Sequence, residues 1–188
     1  NSSNLYVFDP DIDPDAGMLR LVLGLGTRAV DRTVRDYAHI VTLDDPRRGR
    51  LIDADDLSRF SQRWVDVLSL SRNDLATVAV GSLTDTDIRT DWTLFASPDR
   101  HALRVLAERE RPFRTQPLVI DFRGLLDRTD FAPFMRDVLA TLSAAYDYPV
   151  DIEFTLNVDA AGRPLVSIVQ CRPLQTRGLG PAIAEAAP

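Results

Sequence analysis

The sequence predicts an α+β fold with a mainly antiparallel sheet packed by helices, and three observations carry that expectation. Strand-like and helix-like segments interleave without the regular βαβ rhythm of a parallel sheet. The clearest helical period, over 129–148, runs directly into two strand-like segments joined by the reversal AAGRP at 160–164. The chain of 188 residues is 45% hydrophobic and 27% charged, as ordinary globular proteins are, and is long enough to enclose a core.

LYVFD (5–9) reads as a short strand before the turn-rich DPDIDPDAG, MLRLVLG (18–24) as a second strand running into G-L-G, and AHIVTL (38–43) as a third. DADDLSRFSQRWVDVLSL (53–70) reads as one helix, with Leu57, Phe60, Trp64, Val67 and Leu68 on one face and Asp53 to Asp56 supplying the cap and first-turn acids. TVAVGS and DWTLFAS are expected strands, and PDRHALRVLAERE (98–110) a helix with Pro98 near its first position. PLVIDF (117–122) reads as a strand. In the helix that follows, Phe131, Phe134, Met135, Val138, Leu139, Leu142, Ala145 and Tyr146 keep the 3.6-residue period, and Pro133 suits its first turn.

Composition removes several function classes. A net charge of −6 argues against a nucleic-acid binder, and the basic run Arg47, Arg48, Arg50 reads as a solvated loop. No apolar run approaches the ~18 residues a membrane span requires, and the acidic N-terminal stretch does not resemble a signal peptide. One cysteine, Cys171, allows neither an internal disulfide nor a cysteine zinc site; its strand position predicts a buried, inert thiol. A reducing cytosol is the expected compartment. All 22 basic residues are arginine, so no side chain can form a Schiff base and no lysine can hold a phosphate. The initial Asn and a Gly-, Ala- and Pro-rich end predict a piece of a longer protein, with a globular part over 1–176 and a linker or tail over 177–188.

The stretch VDIEFTLNVDAAGRPLVSIVQCRP (150–173) has the most to say about chemistry. Residues two apart on a strand share a face, which groups Asp151 and Glu153 on one segment and Gln170 and Arg172 on the other. Pairing Val158 with Leu165 sets Glu153 opposite Gln170 and Asp151 opposite Arg172. It also sets Phe154 opposite Val169 and Ile152 opposite Cys171, so a single register satisfies both faces. Spacing alone leaves two readings open and leans to the first: a cross-strand ion pair on a solvated face, or oxygen ligands for a hard cation beside an anion-holding arginine.

The same residues resemble a known family. V-D-I-E-F followed by I-V-Q-C-R-P-L is similar to the closing signature D-I-E-[WF]…Q-x-R-P of the nucleotide-binding domain in phosphoenolpyruvate synthase and pyruvate phosphate dikinase. V-L-G-L-G-T-R-A-V (22–30) resembles the family's G-L-G-E-x-V-V segment, and the likeness extends over most of residues 18–176. It implies a partial, C-terminal portion of an ATP-grasp domain, with ATP and Mg2+ as ligands. Gly24 and Gly26 would form the loop near the nucleotide. Glu153 would be a Mg2+ ligand supported by Asp151, Gln170 would lie on the metal and phosphate side, and Arg172 would contact a phosphate, giving Gln170 and Arg172 the catalytic positions. In that family ATP phosphorylates a histidine on a separate domain, and the phosphate then passes to pyruvate. The implied partners are therefore ATP, an N-terminal lobe and a phosphohistidine domain, with pyruvate acting indirectly.

Thr27 stands where the family usually has Glu, and Arg32 where it usually has Gly. His39 and His101 lack the Gly- and Ser-rich setting of the phosphohistidine motif and read as structural or surface residues. These departures keep two alternatives in view. One is a degenerate, non-catalytic binding or scaffolding module; the other is a related dikinase acting on an acceptor other than pyruvate.

Overall fold

A computed structural model describes residues 11–27, 36–48, 53–83, 90–109, 117–159 and 161–174. The expected strand at 5–9, the Arg32 position and the tail at 177–188 lie outside these residues. The α+β class is observed, but among the described residues the strands form four separate antiparallel pairs and not one sheet.

Strand β1 (Met18–Leu21) pairs with β2 (His39–Thr42), with Leu19 opposite Val41 and Leu21 opposite His39. Leu19, Leu21 and Val41 are buried, and the alternation of the pleat carries Arg20 and Ile40 to the opposite face. Helix α1 (Ala54–Arg59) is capped by Asp53, whose side chain accepts from the Asp55 backbone N–H.

The single helix expected over 53–70 is not formed. It stops at Phe60, and β3 (Trp64–Ser69) pairs instead with β4 (Asp74–Ala79), which leads into the short helix α2 (Val80–Leu83). The supposed helical stripe does not face one way: Trp64 is 47% and Leu68 64% exposed, Val67 packs partly against the core, and Val65, outside the stripe, is buried. WVDVLS satisfies a two-residue period as well as a helical one, and the ladder offered by DLATVA decides between them. The Asp36 carboxylate fixes the break by accepting from the N–H groups of Arg63 and Trp64.

DWTLFAS divides into a 3-10 turn (Trp92–Leu94) and strand β5 (Ala96–Pro98), which pairs with β6 (Leu118–Ile120). Helix α3 (Arg100–Glu108) takes Asp99 as its cap, so Pro98 ends the preceding strand and does not begin the helix. Polar contacts join α3 to α1: the Ser58 hydroxyl donates to Asp99, and Asp55 takes both His101 and Arg104. Helix α4 (Arg123–Arg128), absent from the sequence reading, follows Phe122, whose φ of 49° is left-handed. Gly124 lets α4 approach the 92–94 turn, since a Cβ there would lie 2.0 Å from the Thr93 carbonyl oxygen.

Helix α5 (Phe131–Tyr146) forms as expected but buries a narrower stripe, chiefly Phe131, Ala132, Met135 and Leu139; Phe134 and Tyr146 are half exposed. It packs on β7 (Val150–Val158), the first arm of the hairpin completed by β8 (Pro164–Pro173). Val150 and Ile152 join Leu19, Val65, Ile120 and Phe131 in one apolar core. Among the described residues no helix is long and apolar enough to cross a membrane.

Candidate functional site

The G-L-G turn is held in place by the segment once expected to be helical. Gly24 has φ 98°, and a Cβ on it would lie 2.5 Å from a Val65 methyl carbon and 2.7 Å from the Asp66 carbonyl oxygen. Only glycine lets the loop approach β3 this closely. Gly26, with φ 81°, requires the same backbone freedom but has open space around it.

Buried Gln62 clamps the loop's entry. Its carbonyl accepts from the Leu23 N–H at 2.7 Å, and its amide donates to the Leu23 and Trp64 carbonyls at 2.9 and 2.8 Å. On the exit side the Asp66 carboxylate accepts from the hydroxyls of Thr27 and Thr77. The Asp66 backbone carbonyl accepts from the Leu25 N–H. Thr27, in the place of the Glu usual to the resembling family, thus ties the loop to β3.

The β7–β8 hairpin supplies the facing wall. Asp151 pairs with Arg172, Ile152 with Cys171 and Glu153 with Gln170, as the sequence register anticipates. The ladder then shifts: Phe154 lies opposite Ile168 and not Val169, and Val158 opposite Pro164 and not Leu165. Between Glu153 and Phe154 the chain advances one residue while its partner advances two, which makes Val169 the extra residue of a β-bulge. Val169 is 65% exposed, in keeping with its release from the ladder. Cys171 is a free, partly buried thiol.

Between the loop and the hairpin lies a cleft of about 510 Å3, within the range of small-molecule sites. Gly24, Gly26 and Glu153 line it together with Arg20, Phe122, Phe154 and Val169. Of the residues the sequence singles out, Gly24 and Gly26 stand on one wall and Glu153 on the other. Asp151, Gln170 and Arg172 are not among the lining residues. The Arg172 guanidinium donates to Asp151 Oδ2 through Nε at 3.2 Å and Nη2 at 2.8 Å. That carboxylate raises the arginine's pKa further and holds it charged.

Three contributors were missed. Arg20 lines the cleft with a buried Nε that has no hydrogen-bond partner among the described residues. Its signal was the lone charge in M-L-R-L-V-L, two strand positions before the loop's apolar approach. Phe122 forms part of the wall, meets Phe95 edge-on at 6.2 Å, and lies 5.9 Å from the His39 ring. Burial lowers the pKa of His39, and the nearby Asp121 charge only partly opposes this. Gln62 could have been found as a polar residue that splits two apolar patterns.

Among the described residues no three or more His, Cys, Asp or Glu side chains gather as a metal site. Glu153 brings one carboxylate to the cleft and its cross-strand neighbour Gln170, outside the lining, one amide oxygen; a Mg2+ ion held there would need waters and phosphate oxygens for the rest of its shell.

No curated protein and no solved structure matches the chain. The family described as pyruvate phosphate dikinase, AMP/ATP-binding domain, does match it, over residues 6–185. That match spans most of the 188 residues, and the chain belongs to that family.

Proposed function

We propose that this chain is the C-terminal portion of an ATP-grasp nucleotide-binding domain in a cytoplasmic phosphotransferase of the phosphoenolpyruvate synthase and pyruvate phosphate dikinase type. The observation that carries the proposal is the cleft uniting Gly24 and Gly26 with Glu153 in a chain of the AMP/ATP-binding family. The apolar surfaces of Phe122 and Phe154 suit a planar base, and the glycine loop lets backbone approach the ligand closely.

In the parent enzyme, phosphate would pass from ATP to a histidine on another domain and from there to pyruvate. Phosphoryl transfer of this kind depends on positioning and charge neutralisation more than on covalent work by the binding domain. Glu153 and Gln170 would hold Mg2+, which supplies charge neutralisation at the phosphates. Arg172 would contact a phosphate, and Asp151 would orient the strand beside Glu153. Neither His39 nor His101 has the setting of a phosphoryl acceptor, so these 188 residues would bind nucleotide without turning it over.

Calorimetric titration with ATP and AMP, with and without Mg2+, tests the reading. ATP should bind in a Mg2+-dependent way, and Glu153→Ala should remove that dependence while the circular dichroism spectrum and melting temperature are kept. ATP binding that is indifferent to both Mg2+ and Glu153 would refute the site assignment.

One observation favours a second reading, a non-catalytic module. The Thr27 hydroxyl is engaged by Asp66, so this position braces the loop where the resembling family places a carboxylate. If the parent protein binds ATP but forms no AMP from it in the presence of pyruvate or another acceptor, this reading replaces the first.

A further inference from the structure

We infer that Arg20 is a phosphate-binding residue of the cleft, taking an anionic oxygen of the ligand's phosphate chain. The inference rests on the nucleotide-site reading and adds a residue that neither the sequence signature nor the family match assigns.

Four observations converge on it. Among the described residues that line the cleft, Arg20 is the one cation and Glu153 the one carboxylate. Five other arginines are committed: Arg48, Arg104, Arg128, Arg163 and Arg172 each meet an aspartate within 3.0 Å. Arg20 has no such pair among the described residues, and its Nε is buried without a hydrogen-bond partner. A buried guanidinium donor left unsatisfied is unfavourable unless something outside the chain satisfies it. The fourth observation is positional. Arg20 stands on β1, whose inward neighbours Leu19 and Leu21 are fixed in the core, and that strand continues into the clamped Gly24 loop. The guanidinium is therefore carried on a rigid element, which suits a binding group better than a loop does.

The chemistry is specific. A guanidinium presents several N–H donors in a planar fork that matches phosphate oxygens, and it remains charged throughout the physiological range. In a chain without lysine, arginine is the only side chain that can supply a permanent positive charge to a phosphate. The apolar lining would take the base, and Arg20 would take the anion.

The test separates the two halves of the ligand. Binding of ATP, adenosine and inorganic pyrophosphate to the 188-residue chain is measured in buffer containing Mg2+ for wild type, Arg20→Gln, Arg20→Lys and the exposed control Arg109→Gln. Arg20→Gln should weaken ATP and pyrophosphate at least about tenfold, the scale of one charge-assisted hydrogen bond. Adenosine affinity should be unchanged, Arg20→Lys should recover part of the loss, and Arg109→Gln should behave as wild type. Thermal melting of each variant identifies any that misfold, and Arg20→Lys then decides, since weakened pyrophosphate binding with intact adenosine binding supports the assignment.

An unchanged ratio of ATP to adenosine affinity in Arg20→Gln overturns the assignment of Arg20 and leaves the nucleotide site standing. Arg20-dependent binding of pyrophosphate, with ATP bound no more tightly than pyrophosphate, supports Arg20 and overturns the nucleotide reading. A wild-type chain that binds none of the three overturns both.

Discussion

Gly24→Ala should cost far more stability than Gly26→Ala, although both glycines have positive φ in the same three-residue turn. At Gly26 the φ is 81° and a Cβ meets nothing within 4 Å, so the substitution carries only backbone strain, about 1–2 kcal/mol. At Gly24 the φ is 98°, and the new Cβ would also sit 2.5 Å from Val65 Cγ1 and 2.7 Å from the Asp66 carbonyl oxygen. Val65 is buried and Asp66 is held by its ladder opposite Thr77, so neither can withdraw freely. Overpacking of this kind adds about 1–3 kcal/mol, for a total near 2–5 kcal/mol. Taking about 2–4 °C per kcal/mol for a chain of this size, melting should fall by roughly 4–20 °C for Gly24→Ala and 2–8 °C for Gly26→Ala. Urea unfolding of the two variants in parallel measures the difference directly. Equal losses would refute the close approach of loop to β3, and with it the clamped geometry on which the cleft depends.

Gln62→Leu should lower unfolding free energy in urea by about 2–4 kcal/mol, because the Leu23 N–H and two carbonyls lose their buried partner. Deletion of Val169 would leave both halves of the hairpin register paired while removing the bulge; stability should hold or rise, and ATP affinity should fall as the cleft wall straightens. His39 has a lowered pKa in the folded chain through burial, so the unfolded chain takes up its proton first as pH falls. Stability should therefore drop as pH falls from about 6.5 toward the folded pKa and level off below it. His39→Gln should flatten that window in pH-dependent melting curves. A separate acid loss below about pH 4 should persist in that variant, because Asp55 and Asp91 are held low by hydrogen bonds from His101 and Thr93.

What could be read from the sequence depended on whether the deciding contact was local. Helix α5 carries its period within sixteen residues, and the β7–β8 hairpin pairs with itself, so both were legible. WVDVLS was not, because its apolar residues fit two periods and the partner that selects one lies beyond the next turn. Helix α4 escaped notice because it is six residues long and starts after Phe122 in a left-handed conformation that nothing in FRGLLDR announces. The bulge was hidden for a different reason. V-Q-C-R alternates as a regular ladder requires, the adjacent apolar pair Ile168 and Val169 is the one break in it, and the extra residue is placed only when the loop end and the open end of the hairpin are paired separately.

The site shows the same division, with a consequence for its charges. Gly24, Gly26 and Glu153 were singled out through the family resemblance, since by type and spacing alone they read as turn glycines and a surface carboxylate. Arg20 was not, because an arginine between two buried leucines reads as the solvent side of a pleat until another strand lies across it. The two arginines now stand in contrast. Arg172 already holds Asp151 through two donors, and Asp151 Oδ1 is buried with no other partner among the described residues. Nε and Nη2 of Arg172 are engaged with Asp151, so a phosphate reaches that guanidinium through its remaining donors, or takes the engaged ones at the cost of leaving the carboxylate unpaired. Arg20 asks for no exchange, because its unsatisfied Nε gains a partner when an anion arrives. Ground-state affinity for phosphate should therefore fall more heavily on Arg20 than on Arg172, whose charge is already shared with Asp151.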